Sequence, residues 1–125
     1  MYKNQGEVLM TYYYYIAADQ PFKFSEGQLD AWPVDDEIED YVEGFDVPIQ
    51  FEMFSPEKEK ELFPLFLCIK YHFERFPTST VQIANYLSSN IEDCTIDKKN
   101  SIQLKELTDP KQLALDVGEL ITIKK

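Results

Sequence analysis

The chain has 125 residues, of which 44% are hydrophobic and 14% aromatic, and its formal net charge is -11. This length and apolar content are enough for one hydrophobic core, which excludes an extensively disordered chain. The negative charge disfavours nucleic-acid backbones and anionic membrane surfaces as partners. No apolar run of about eighteen residues is present, so we expect a soluble cytoplasmic protein. Eleven of the twelve basic residues are lysines, a bias typical of a low-GC bacterial genome.

The first residues suggest where translation begins. Codons for Gly6-Glu7-Val8 can form a purine-rich ribosome-binding sequence a few nucleotides before the codon for Met10. We therefore hypothesise that Met10 is the native start, which a mass spectrum of the native protein would test. Residues 1–9 are then expected to be a flexible extension, and residues 10–125 a single α+β domain.

Two stretches in the first half of the chain have the pattern of β-strands. Thr11 to Ala17 is a run of β-favouring residues. In a strand, Tyr13 and Tyr15 would lie on one face, and Tyr12, Tyr14 and Ile16 on the other. Ile49 to Phe54 alternates in the same way, and it follows a proline that lacks a backbone donor. Both stretches are predicted strands.

The stretch from Leu65 to Glu74 is also predicted to be a strand, and a central one. Its apolar residues recur at every second position, so they would share one face of a pleated strand. Its neighbour in the sheet is expected to be Ile49 to Phe54. The best predicted helix follows at residues 79–90, where hydroxyl side chains can cap the first turn and Val81 begins an apolar stripe.

The remaining segments complete an α+β fold. Asp109-Pro110 can start a short helical turn, and Glu119 to Lys125 is a predicted final strand. The sequence therefore predicts a mainly antiparallel β-sheet of about 4–5 strands with one principal helix, residues 79–90, packed on one face. A short acidic helix or loop is expected near residues 35–44.

All of the net charge lies in the first half of the chain. Residues 1–57 hold thirteen acidic and two basic residues, whereas residues 58–125 hold ten of each. Aromatic side chains lie among the acids, which suits an interface with a desolvated centre and a charged rim. We expect this half to bind a basic protein partner, as an inhibitor, an immunity-type protein or a nucleic-acid mimic does. The predicted partner-binding residues are Asp30, Trp32, Asp35, Asp36, Glu37, Glu39, Asp40, Tyr41, Glu43, Phe45 and Asp46.

Competing interpretations of the acidic half are a solvated face that serves only solubility and a metal site. The run lacks the EF-hand pattern, because Asp40 stands where that loop needs glycine. Without that pattern, no metal site is predicted. The four glycines form no phosphate-binding loop, so no cofactor is predicted either. With Arg75 as the only arginine and no basic recognition helix, nucleic-acid binding is disfavoured as well.

The alternative function is a small ligand-binding protein or a hydrolase-like enzyme that uses His72 with carboxylates. In the predicted strand, Cys68, Lys70 and Glu74 share a face with this histidine, the only one in the chain. Residues four apart along a strand lie about 13 Å apart, too far for a hydrogen bond between Cys68 and His72. A structural histidine is the favoured interpretation, and no catalytic residue is predicted.

Overall fold

The computed structural model describes residues 10–23, 29–34, 44–56, 58–89 and 96–125. These residues form a six-stranded, mostly antiparallel sheet with one α-helix, which confirms the predicted α+β class with more strands than expected. In chain order the elements are β1 (Met10–Ala18), β2 (Trp32–Pro33), β3 (Ile49–Phe54), α1 (Leu62–Arg75), β4 (Thr80–Ser89), β5 (Lys98–Gln103) and β6 (Glu119–Lys124). Short 3-10 helices at Glu59–Glu61, Leu104–Glu106 and Pro110–Leu113 connect them.

β1 lies inside the sheet, whose strand order is β2-β3-β1-β4-β6-β5. It pairs antiparallel with β3, where Tyr13 faces Phe54, and with β4, where Tyr13 faces Tyr86. The tyrosine-rich run suits this position because aromatic side chains pack well on a pleated surface. The strands predicted at 11–17 and 49–54 are therefore confirmed.

The other half of the sheet is built from β4, β6 and β5. β6 pairs antiparallel with β4 and parallel with β5, and it confirms the final strand predicted at residues 119–125. The chain turns into β6 at Gly118, whose φ of 85° is in the left-handed region that glycine tolerates best. The predicted helical turn at Asp109-Pro110 is also confirmed, with the Asp109 carboxylate accepting from the Lys111 backbone N–H.

The strand predicted at Leu65–Glu74 is wrong, because these residues form most of α1. Leu65 to Ile69 is apolar without interruption, so this part of the segment fits a period of two and a period of 3.6 equally well. Leu67 and Tyr71, which a strand would bury together with Ile69, are only half-buried. The sheet neighbours of β3 are instead β1 and β2. The buried residues follow helical spacing: Leu62, Leu65, Cys68, Ile69, His72 and Phe73.

The helix predicted at residues 79–90 is also wrong, because Thr80–Ser89 form β4 in the sheet interior. Gln82 and Asn85 suggested the solvent face of a helix, yet both are buried. Their amide N–H groups donate inside the protein: Gln82 Nε2 donates to Thr122 Oγ1 at 3.0 Å, and Asn85 Nδ2 donates to the Leu115 carbonyl at 2.9 Å. A central strand with both faces covered loses the polar alternation that would have identified it.

Two predictions fall outside the described residues, namely the flexible extension at residues 1–9 and most of the acidic helix or loop near 35–44. Gly44 is described, and its φ of 102° is again left-handed. This backbone favours glycine, and a Cβ here would lie 3.2 Å from the Ile96 side chain, which would have to shift slightly. None of the described helices combines the length and the apolar character needed to cross a membrane.

Candidate partner-binding surface

The structure describes four of the eleven predicted partner-binding residues, namely Asp30, Trp32, Phe45 and Asp46. The other seven, Asp35, Asp36, Glu37, Glu39, Asp40, Tyr41 and Glu43, lie outside the described residues. The four described residues divide into two pairs. Asp30 and Trp32 belong to an exposed edge of the sheet. Phe45 packs on a sheet face, and the exposed Asp46 bonds Gln82 of β4.

The exposed edge is formed by three aromatic rings. The ring of Phe54 stacks on Tyr13 at a centroid distance of 5.6 Å and meets the edge of Trp32 at 5.1 Å. Trp32 in turn packs edge-on against Tyr13 at 6.3 Å. Such offset and edge-to-face contacts hold the rings in place. The Phe54 side chain is nevertheless 60% exposed, which leaves a large, fixed apolar surface in water.

A carboxylate lies beside these rings. Glu52 stands opposite Trp32 on β2 and opposite Tyr15 on β1. The Trp32 indole N–H donates to Glu52 Oε1 at 2.5 Å, which fixes the indole plane. Burial, together with the negative charge of Glu52, raises the pKa of the Tyr15 hydroxyl. The edge therefore combines aromatic faces with a half-buried negative charge.

An open pocket of about 430 Å³ lies next to Phe54, between the end of β3 and the start of α1. Its apolar walls include Leu29, Met53, Phe54 and Pro64, and two carboxylates, those of Asp30 and Glu61, also line it. Among the residues that the structure describes, neither a lysine nor an arginine contributes to its lining. We call this pocket, the adjoining rings of Tyr13, Trp32 and Phe54, and the neighbouring Glu52 carboxylate the acidic-aromatic surface.

Phe45 and Asp46 contribute to the fold. Phe45 is half-buried against the cluster of Tyr15, Ala17 and Ile49, on the sheet face opposite α1. The Asp46 backbone N–H donates to Gln82 Oε1 at 2.7 Å, and Gln82 Nε2 donates back to the Asp46 carboxylate at 3.0 Å. This reciprocal pair satisfies the buried amide of Gln82.

Sequence reasoning did not select Tyr13, Glu52, Phe54 or Glu61, which complete the acidic-aromatic surface. A signal was present for two of them, since Glu52 and Phe54 alternate with the apolar residues of the predicted β3 strand. An aromatic residue on the polar side of a strand is a candidate for an exposed contact. The position of Glu61 beside Asp30 depends on tertiary packing, which the local sequence does not indicate.

The surroundings of His72 bear on the enzymatic alternative. The helical structure corrects the predicted grouping on one strand face: Cys68 and His72 are buried, Lys70 donates to the Leu107 carbonyl, and Glu74 is exposed. The imidazole stacks on Phe22 at a centroid distance of 5.0 Å. Neither the acidic pocket nor a second pocket of about 320 Å³, lined by Tyr14, Leu62 and Asn85, includes His72 in its lining.

His72 also takes part in a hydrogen-bonded chain with Ser79 and Asp19. The Ser79 hydroxyl donates to Asp19 Oδ1 at 2.6 Å, so its oxygen accepts from His72 Nε2 at 2.8 Å. In a hydrolase triad the histidine bridges the acid and the serine, whereas here the serine is in the middle. Because the serine proton points to the carboxylate, His72 is not placed to remove it. The chain links α1, the start of β4 and the end of β1.

Among the described residues, no three His, Cys, Asp or Glu side chains are grouped so that they could hold a metal ion. Comparisons with protein-family models, curated proteins and solved structures found no match to this chain. The proposal below therefore depends on the geometry and charge of the chain itself.

Proposed function

We propose that the protein is a non-enzymatic interaction protein that binds a basic protein partner through its acidic half. The observation that supports this most directly is the acidic-aromatic surface, where the exposed Phe54 ring adjoins a pocket lined by two carboxylates. Protein interfaces are enriched in aromatic anchors at the centre, with polar and charged groups around them. The surface has this arrangement, and apart from Glu61 and Pro64 its residues belong to the half that carries all of the net charge.

The acidic pocket suits a lysine or arginine side chain of the partner. The stem of such a side chain is aliphatic and can pack on Leu29, Met53 and Pro64, while its charged end reaches Asp30 and Glu61. Aromatic faces attract cations as well, so the neighbouring rings would add to the binding. The net charge of -11 would accelerate the encounter with a basic partner over longer distances.

The first test truncates the aromatic anchor. A tagged copy of the chain, applied to host lysate at low and high salt, identifies a companion that is then purified for affinity measurements. Phe54→Ala should weaken its binding by about tenfold or more, because central aromatic residues dominate interface energetics. The matched control is Phe63→Ala, which removes a ring that is 50% exposed on the outer side of α1. It should leave the affinity nearly unchanged.

The second test neutralises the pocket acids. Asp30→Asn combined with Glu61→Gln should slow association severalfold and reduce its dependence on ionic strength. Glutamine at position 61 keeps an oxygen that can accept from the Lys58 backbone N–H, as Glu61 does now. The control pair, Glu74→Gln with Asp97→Asn, makes the same charge change at exposed sites in the second half of the chain.

Reversing the charges of Asp35, Asp36, Glu39 and Asp40 extends the association-rate test to the predicted residues that the structure does not describe. If the association rate responds equally to the pocket pair and the control pair, the net charge of the chain steers the partner, and the acidic-aromatic surface is not the binding site. The proposal is abandoned if no companion is recovered at either salt concentration, or if none of these variants changes binding.

A further inference from the structure

β3 extends beyond its neighbour β2 at Phe54. The Ser55 N–H donates to the Tyr12 carbonyl of β1 at 3.0 Å. Successive residues of a strand direct their backbone groups to opposite sides, so the Phe54 N–H and C=O point away from β1. They point towards the edge of the sheet that β2 occupies. β2 does not reach them, because its first residue, Trp32, stands opposite Glu52.

The chain before β2 turns away from Phe54. The register of β2 would place Asp30 opposite Phe54 if the strand continued. Instead, the Ala31 N–H donates to the Leu29 carbonyl at 3.1 Å, which closes a tight turn just before β2. Within the described part of the chain, no backbone group pairs with the Phe54 N–H or C=O. Phe54 is also largely exposed, so these two groups form a short open edge for another strand.

The acidic pocket adjoins this open edge. Asp30 lines the pocket on the side of β2, and Phe54 lines it on the side of β3. The Phe54 ring packs against Tyr13 on the sheet face opposite α1. Met53 and Glu61, in contrast, line the pocket on the face that α1 covers. The ring and the pocket therefore lie on the two sides of the open backbone groups, and a segment paired with these groups would reach both.

We propose that the basic partner binds as an extended strand that pairs with the end of β3, antiparallel to it as β2 is. This inference rests on the proposed function and specifies the partner segment. One residue of the segment stands opposite Phe54, donating its N–H to the Phe54 carbonyl and accepting from the Phe54 N–H. Because side chains alternate along a strand, this residue packs on the Phe54 ring. A lysine or arginine next to it reaches Asp30 and Glu61 in the acidic pocket.

The test is a titration of the complete, ¹⁵N-labelled chain with capped pentapeptides, followed by NMR. The first peptide has a central valine between two lysines, with a threonine at each end. We expect it to bind saturably and to shift the Phe54 amide proton downfield, as a new hydrogen bond does. An N-methyl group on the valine removes the donor to the Phe54 carbonyl and should weaken binding about tenfold. The matched control carries the N-methyl group on a lysine, whose N–H points away from β3, and should bind like the first peptide.

A peptide with glutamine in place of both lysines separates this inference from the proposed function. It should also bind about tenfold more weakly, because the acidic pocket then lacks its cation. Equal affinity of the peptides methylated on valine and on lysine would overturn the strand pairing, as would the absence of saturable binding. If the loss with glutamine persists without the effect at valine, the pocket binds a basic side chain and only the strand pairing fails.

Two substitutions at Phe54 test the donor of the chain itself. Phe54→Ala and Phe54→Pro both remove the ring, but only proline also removes the N–H. Because this N–H points away from β1, proline removes no hydrogen bond of the sheet. Phe54→Pro should bind the purified companion severalfold more weakly than Phe54→Ala does, and equal affinities would contradict the pairing. If far-UV circular dichroism shows that Phe54→Pro does not fold, the peptide comparison decides the outcome.

Discussion

Replacing Leu65 by alanine should lower the free energy of unfolding by about 3 kcal/mol, within the range for a buried leucine in a packed core. Leu65 is fully buried on the side of α1 that faces the sheet, where it belongs to the same core cluster as Ile16 and Ile83. The matched control is Leu67→Ala, because Leu67 is only half-buried on the same helix. It should cost less than about 1.5 kcal/mol, since less apolar surface is lost from the core.

Denaturant unfolding of the two variants and the wild type measures both values. The comparison also decides between helix and strand, because a strand would bury Leu65 and Leu67 on one face, whereas α1 buries only Leu65. A loss for Leu67→Ala as large as that for Leu65→Ala, or larger, would contradict the orientation of α1.

The stability of the protein should decrease on acidification because of His72. Burial, together with the positive charge of Arg75, lowers the pKa of His72 from 6.5 to about 4, against the opposing effect of Asp19. The folded state therefore binds fewer protons than the unfolded state between these two values. Its stability is fully present above pH 6.5 and is lost as the pH falls towards 4. Between pH 7.5 and pH 5 this linkage amounts to about 2 kcal/mol.

The structure explains why protonation of His72 is unfavourable. Its Nε2–H already donates to Ser79, so a second proton would have to bind to Nδ1, which is buried without a hydrogen-bond partner. The imidazolium would also lie among the rings of Phe22, Phe73 and Phe76, where it is poorly solvated. The neutral form is therefore strongly preferred in the folded state.

Urea unfolding at the two pH values, for the wild type and for His72→Gln, measures this linkage. The wild type should lose about 2 kcal/mol more than the variant, whatever the stability of the variant at neutral pH. Asp19 remains in both proteins. Although burial opposes the effect, hydrogen bonds from Ser79 and Thr80 hold its pKa below the ordinary value, so Asp19 contributes its own loss at lower pH. Equal losses in wild type and variant would show that His72 titrates normally.

Strands with one dominant pattern were predictable from the sequence. β1, β3 and β6 combine alternation with β-favouring residues, and all three are strands. The errors concern the two segments that pack against each other across the core. The first half of the predicted strand, Leu65 to Ile69, is apolar without interruption and fits two periods. β4 carries buried polar residues that resemble the solvent face of a helix. Both ambiguities are resolved by tertiary contacts, such as those of Gln82 with Asp46 and Thr122.

The candidate site was predictable only in its general character. Charge segregation indicated the acidic half, and Asp30 and Trp32 do lie on the acidic-aromatic surface. Phe45 and Asp46, chosen by the same reasoning, pack over the sheet instead. Charge density along the chain cannot separate these roles, because each depends on which partner a side chain meets in space.

The inner position of β1 determines the order in which the sheet can assemble. Tyr13 pairs with Phe54 on one side and with Tyr86 on the other, and both partners come much later in the chain. During synthesis on the ribosome, β1 therefore emerges well before either of its neighbours. Its edge towards β4 stays open until two thirds of the chain has been made, and long loops must close before it is paired. The core consequently forms as one late, cooperative event, and folding is slower than in a protein whose sequential elements pair locally.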